Sequence, residues 1–162
     1  MFNFSNKVAF RAVTKNAHTT MRHVFEQVYG KKETDRTIDF ECIKVCIKRD
    51  PIDRFLSAFT YLSLTRKNFP KDINKFIDNF DLFKEDEHFK SQTYFLGDKK
   101  IYNYVFDIDK TNECIIMISD MINIPLDILH DKQTKHIDVS SKQVDSIKLL
   151  EHIKQDYTNE WY

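Results

Sequence analysis

Glycine and proline are scarce in this chain, with 2 Gly and 3 Pro in 162 residues. No glycine falls between Thr14 and Thr20, which excludes the G-x-x-x-x-G-K-[ST] loop that cradles ATP phosphates. The scarcity itself reads as compositional drift in a chain rich in Lys, Asn, Ile and Phe. Cysteine is limited to Cys42, Cys46 and Cys114. Cys42 and Cys46 fall on one face of a predicted strand, about 13 Å apart at about 3.3 Å per residue, too far for a disulfide. The distance in sequence to Cys114 and the lack of a nearby histidine cluster argue against a zinc site, so no metal is expected. An odd number of thiols predicts reduced cysteines and a cytoplasmic setting. Excess charge is also missing: 25 Lys and Arg balance 25 Asp and Glu, and nothing points to nucleic acid as a partner. Long apolar runs are absent, the longest being Cys114 to Ile118, so no transmembrane segment is expected. Residues Met1 to Lys7 lack the apolar core of a signal peptide.

What the chain does have is aromatic mass, including 14 Phe and 7 Tyr. With this length, it predicts one packed domain spanning residues 1–162, with no repeats or linker. Val8 to Val13 reads as a strand, and Met21, Val24, Phe25, Val28 and Tyr29 mark a helix that Gly30 ends. A charged connector, Lys31 to Thr37, leads to a second strand from Phe40 to Lys48, where Ile43, Val45 and Ile47 alternate with polar residues and cysteines. Asp50 caps and Pro51 begins a helix to about Arg66. Strand–helix–strand is the unit of a parallel sheet.

Further on, Pro70 and Asp72 open a helix with Ile73, Phe76, Ile77 and Phe80 inside, followed by an acidic, irregular stretch from Asp81 to Lys90. Two short strands, Tyr94 to Leu96 and Tyr102 to Ile108, are expected around a turn at Gly97–Lys99. Thr111 is expected to cap a helix through Met121. After a loop from Leu126 to Val139, Ser140 or Ser141 is expected to cap a last helix with Val144, Ile147, Leu150 and Ile153 inside. The expected fold class is α/β, a central, mainly parallel sheet with helices on both faces.

Two loops carry the chemistry. Lys15, Asn16, Ala17, His18, Thr19 and Thr20 lie between the first strand and its helix, where backbone N–H groups and the positive helix end favour an anion. The plain alternative is a turn capped by Thr19 with a solvated Lys15. Arg49 follows the second strand, at the sheet edge where ligands bind in open α/β folds. Ser57 lies about two turns into the next helix. A guanidinium fork suits phosphate, and a hydroxyl adds one hydrogen bond. The plain alternative pairs Arg49 with Asp50 or Asp53 and leaves Ser57 as packing. Arg54 is expected to pair with Asp50 or Asp53.

Together, Lys-x-x-x-Thr-Thr (Lys15–Thr20) and Arg-Asp-Pro-x-x-Arg-x-x-Ser-Ala-Phe (Arg49–Phe59) resemble the sulfotransferases that use 3′-phosphoadenosine 5′-phosphosulfate (PAPS), especially the carbohydrate branch. His88–Leu96 is similar to that family's His-Trp-x-Pro-Gln segment, and Tyr102–Val105 to its Tyr-Asp-x-Val strand. His136–Ser140 and Asp156–Tyr157 resemble its His-x-Asn-x-Ser segment and its Asp-Tyr end. The chain departs from the pattern at Thr14 for Pro, His18 for Cys or a small residue, Phe89 for Trp, Ser91 for Pro and Phe106 for Gly.

The resemblance implies the sulfotransferase variant of the P-loop-NTPase-like fold. It also implies PAPS as donor, 3′-phosphoadenosine 5′-phosphate as product and a hydroxyl acceptor, of a saccharide or glycoside. In that scheme residues 15–20 hold the 5′-phosphosulfate, with Lys15 as electrostatic stabiliser. Arg49 and Ser57 hold the 3′-phosphate as a remote anchor. His88 is the expected base, and His18 its rival. His88 has a plain reading as a surface residue beside Glu85, Asp86 and Glu87. His23, His130 and His152 read as surface residues, and His136 as ordering a loop near the nucleotide. Two other functions stay open: a nucleotide-binding module without turnover, and a small-molecule kinase, against which the missing glycine-rich loop argues.

Overall fold

Alternation and capping account for most of the element boundaries in the computed structural model, which describes residues 1–5, 7–30, 41–128, 146–157 and 161. The first half holds β1 (Phe2–Asn3), β2 (Val8–Arg11), α1 (His18–Tyr29), β3 (Ile43–Lys48) and α2 (Pro51–Thr65). The second holds α3 (Ile73–Asp78), α4 (Gln92–Leu96), β4 (Tyr104–Asp107), α5 (Thr111–Ile122) and α6 (Ser146–Tyr157). The class is α/β, with a four-stranded mixed sheet. Its order is β1-β2-β3-β4, antiparallel only at β1–β2. Chain contacts divide into two units: Met1–Arg49 with Asp98–Asp131, and Asp50–Gly97 with Lys132–Tyr162.

The first unit is the sheet with α1 and α5. Val8 pairs with Ile43 and Phe10 with Val45, and facing residues of a ladder point to the same side. Val8, Phe10, Val45 and Ile47 therefore share one face. Met21, Val24 and Phe25 of α1 and Cys114, Ile115 and Ile118 of α5 join them in one buried cluster. Gly30 ends α1 at φ 76°, a conformation that costs glycine little. The three cysteines are free and buried, and burial pushes the Cys46 and Cys114 thiols up to about 12. That keeps them protonated and poor nucleophiles.

The second unit is helical and built on phenylalanine. Asp50 caps α2 by accepting the Asp53 N–H, with Pro51 in the first turn. Asp72 caps α3 in the same way through the Lys75 N–H. Phe76 of α3 lies against six other rings, the nearest being Phe89 at 4.9 Å and Phe83 at 5.0 Å. Leu149 and Ile153 of α6 complete this cluster.

Several boundaries differ from expectation. Tyr94 to Leu96 is helix, not strand: the Ser91 hydroxyl accepts the Tyr94 N–H at 3.1 Å and Gly97, at φ 70°, closes the turn. Tyr104–Asp107 is a strand, but it pairs in parallel with β3. Asp98 caps a short 3-10 turn at Lys99–Ile101. Thr111 is the first residue of α5 and not its cap; its hydroxyl donates to the Ile108 carbonyl at 2.6 Å. In α6 the inward positions are Leu149, Ile153 and Asp156, while Ile147 and Leu150 are 74% and 44% exposed. Lys31–Phe40, His130, His136, Ser140, Ser141 and Val144 lie outside the described residues.

Candidate functional site

In the first unit, the chain leaves β2 and folds into a turn that its own neighbours hold open. Asn16 donates its N–H to the Val13 carbonyl at 3.1 Å. Lys15 and Ala17 both have left-handed backbones, at φ 68° and 54°. Each such residue with a Cβ costs about 1–2 kcal/mol, so the turn persists only because surrounding bonds impose it. Two side chains do so. The fully buried Asn16 amide donates to the Ile47 carbonyl at 3.1 Å, fastening the turn to β3. Arg49, the residue after β3, donates from Nη1 to the Lys15 carbonyl at 3.2 Å. Residues of the two sequence loops thus meet within this unit.

The turn delivers the chain into α1 with Ala17 as N-cap and no side-chain cap bond, and no acidic residue stands in the first turn. Thr19 is exposed and lies inside the helix, so it is not the cap; Thr20 is buried. Left-handed residues beside a right-handed helix start form the kind of concavity in which backbone N–H groups receive an anion. Of the six loop residues expected to hold the 5′-phosphosulfate, Asn16 is different. Its N–H and its amide N–H are directed to Val13 and Ile47, so it shapes the turn. His18 is half-buried against the Phe2 ring at 5.8 Å. Burial first, then the positive charges of Arg22 and the amino terminus, hold its imidazole below the usual value. It is therefore neutral over a wider pH range than a free histidine.

Ser57 and His88 belong to the second unit. Ser57 is half-buried on α2. His88 is not a loose surface residue: Nδ1 lies 2.7 Å from Asp86 Oδ1, and its ring stacks on Tyr61 at 5.4 Å. Phe89 sits in the phenylalanine core and Ser91 caps α4, which gives both departures from the family pattern local structural roles.

This unit also contains a cavity of about 450 Å³, lined among others by Arg54, Lys84, Lys90, Tyr94, His152 and Asp156. Arg54 and Asp156 are both 3% exposed. Burial pushes the Asp156 carboxyl up, against the Thr93 N–H at 3.3 Å, the Arg54 charge and the Gln92 N–H. Arg54 is expected to pair with Asp50 or Asp53; its charge also acts on Asp156, about a hundred residues further along the chain. Asp50 accepts from Asp53 and from the Tyr157 hydroxyl. Of the Asp156–Tyr157 doublet, Asp156 lines this cavity. His152, expected at the surface, packs on Phe80 at 4.5 Å and bonds the Ile77 carbonyl at 3.2 Å.

Among the described residues, no group of three or more His, Cys, Asp or Glu side chains is placed to hold a metal ion. No helix among them is long and apolar enough to cross a membrane. The chain matches no protein-family model, no curated protein and no solved structure.

Proposed function

We propose that this chain is a PAPS-dependent sulfotransferase acting on a hydroxyl group of a saccharide or glycoside. The observation that carries the reading is the bond from Arg49 to the Lys15 carbonyl, which joins the two resembling loops at a strained turn before α1. The turn leads into the positive end of a helix and carries two cations of different reach, a set that fits a nucleotide with phosphates at both ends. Lys15, with the N–H groups of the turn and the hydroxyls of Thr19 and Thr20, stabilises charge on the departing 5′-phosphate. Arg49 holds the 3′-phosphate, and remote binding of this kind positions the reacting sulfur. His88 takes the proton of the acceptor hydroxyl. The acceptor oxygen forms its bond to sulfur as the bond from sulfur to the phosphate oxygen breaks.

A nucleotide-binding module without turnover is the second reading. It is favoured by one observation, the local structural roles of Phe89 and Ser91 in the segment around His88. Incubation with PAPS and a panel of mono- and oligosaccharides separates the two. Formation of 3′-phosphoadenosine 5′-phosphate with a sulfated sugar is the expected result. Nucleotide binding with no transfer to any acceptor supports the module, and phosphoryl transfer from ATP in the same assay supports a kinase.

A further inference from the structure

His88 is held by more than its neighbours in sequence. Asp86 Oδ1 accepts the His88 backbone N–H at 2.9 Å, a local turn that many loops contain. The same oxygen also lies 2.7 Å from the ring Nδ1, and Arg66 Nη1 donates to Asp86 Oδ2 at 2.6 Å. Tyr61, from the same helix that leads to Arg66, stacks on the imidazole with its plane 23° away. Burial raises the Asp86 carboxyl, but the His88 N–H, the His88 ring and Arg66 outweigh it and hold it below the usual carboxylate value. An ionised carboxylate only accepts hydrogen bonds, so the proton between the two groups belongs to Nδ1. The ring plane, the tautomer and the direction of Nε2 are then all determined by residues of the second unit.

We propose that Asp86 is a positioning residue that fixes His88 as the Nδ1–H tautomer and makes Nε2 the atom that takes the acceptor proton. The catalytic half of this statement rests on the sulfotransferase reading; the tautomer does not. In the step itself, the acceptor O–H bond breaks as its proton goes to the Nε2 lone pair. The new oxygen–sulfur bond replaces the bond from sulfur to the 5′-phosphate, which leaves with those electrons. The imidazolium so formed faces the Asp86 carboxylate, which lowers its energy, and it returns its proton to water. Arg66 keeps Asp86 from turning away, and Tyr61 keeps the ring from rotating.

Nitrogen-15 NMR of the ring nitrogens, recorded on the full chain above the histidine pKa, tests the positioning directly. The expected result is a protonated Nδ1 and a bare Nε2 in the wild type. Asp86→Asn, whose amide oxygen still accepts, keeps that form, and Asp86→Ala moves the proton toward Nε2. A wild-type ring protonated on Nε2, or a tautomer unmoved by Asp86→Ala, overturns the proposal. With PAPS and a productive acceptor, Asp86→Ala lowers kcat at least about 10-fold with KM for PAPS unchanged. A loss confined to KM overturns the catalytic half. Absence of any transfer by the wild type sinks the sulfotransferase reading instead, while the NMR result still decides the positioning.

Discussion

Asn16 and Phe76 are both fully buried, one in each unit, yet they hold their surroundings by opposite means. Phe76 packs among six rings in tilted and edge-on pairs, held by burial and close packing and not by a bond to any single atom. Asn16 makes a directed bond to one carbonyl and maintains a turn that the chain would otherwise abandon. The helical unit stores its free energy in burial. The loop of the sheet unit spends free energy on backbone strain and recovers it through hydrogen bonds. Strain held at the end of a strand, beside cations and an uncapped helix start, is the expected mark of a binding loop. A core cluster needs none.

Removing the central ring is the largest test of this contrast. Phe76→Ala is expected to cost about 3–5 kcal/mol, read as a shift of the denaturation midpoint, and to leave nucleotide binding by the remaining folded protein unchanged. A loss below about 1 kcal/mol would mean that the ring cluster can collapse around the gap.

Asn16→Ala comes next. It leaves the buried Ile47 carbonyl without its amide donor, at about 1–3 kcal/mol, and releases the left-handed residues on either side. Nucleotide affinity is expected to fall along with stability, in contrast to Phe76→Ala. Unchanged affinity in the folded Asn16→Ala protein would show that the turn does not need its clamp.

The smallest effect lies in pH. His18 has a folded-state pKa below the usual histidine value of about 6.5, because of burial and two positive neighbours. The unfolded chain therefore binds more protons just below that pH, and stability falls as the solution is acidified through the window. Thermal melts are expected to show a steeper loss on acidification for the wild type than for His18→Gln. Parallel curves would mean that His18 is solvated in the same way in both states.

The two regions were also unequally legible. Helix starts were plain where a side chain announces them, as at Asp50–Pro51 and Asp72, because capping is a local reaction of one carboxylate with one N–H. The strand β3 was readable from alternation, and the phenylalanine helix α3 from spacing. Tyr94–Phe95–Leu96 misled because bulky aromatic residues favour strands in general, whereas the Ser91 hydroxyl and Gly97 decide this short segment. In α6 the pattern supports two stripes. Ile147 and Leu150 compete with Leu149, Ile153 and Asp156, and the stripe containing a carboxylate wins because Asp156 binds N–H groups of α4.

The loop expected after the first strand lies between β2 and α1, but its shape was hidden. Lys15 and Ala17 carry no signal for left-handed backbone, and Asn16, the residue that tolerates it best, is not the one that adopts it. Its partner Ile47 lies 31 residues away, so the reason for the turn is tertiary.

Arg49 and the Lys15 turn are proposed to form one nucleotide site. Calorimetric titration with 3′-phosphoadenosine 5′-phosphate, against ATP and against Arg49→Ala, tests it most directly. Binding is expected to prefer the 3′-phosphorylated nucleotide over ATP. Arg49→Ala should weaken that binding by about 10- to 100-fold, the loss of one charged hydrogen-bonding partner. No binding by the wild type, a preference for ATP, or binding indifferent to Arg49→Ala would contradict it.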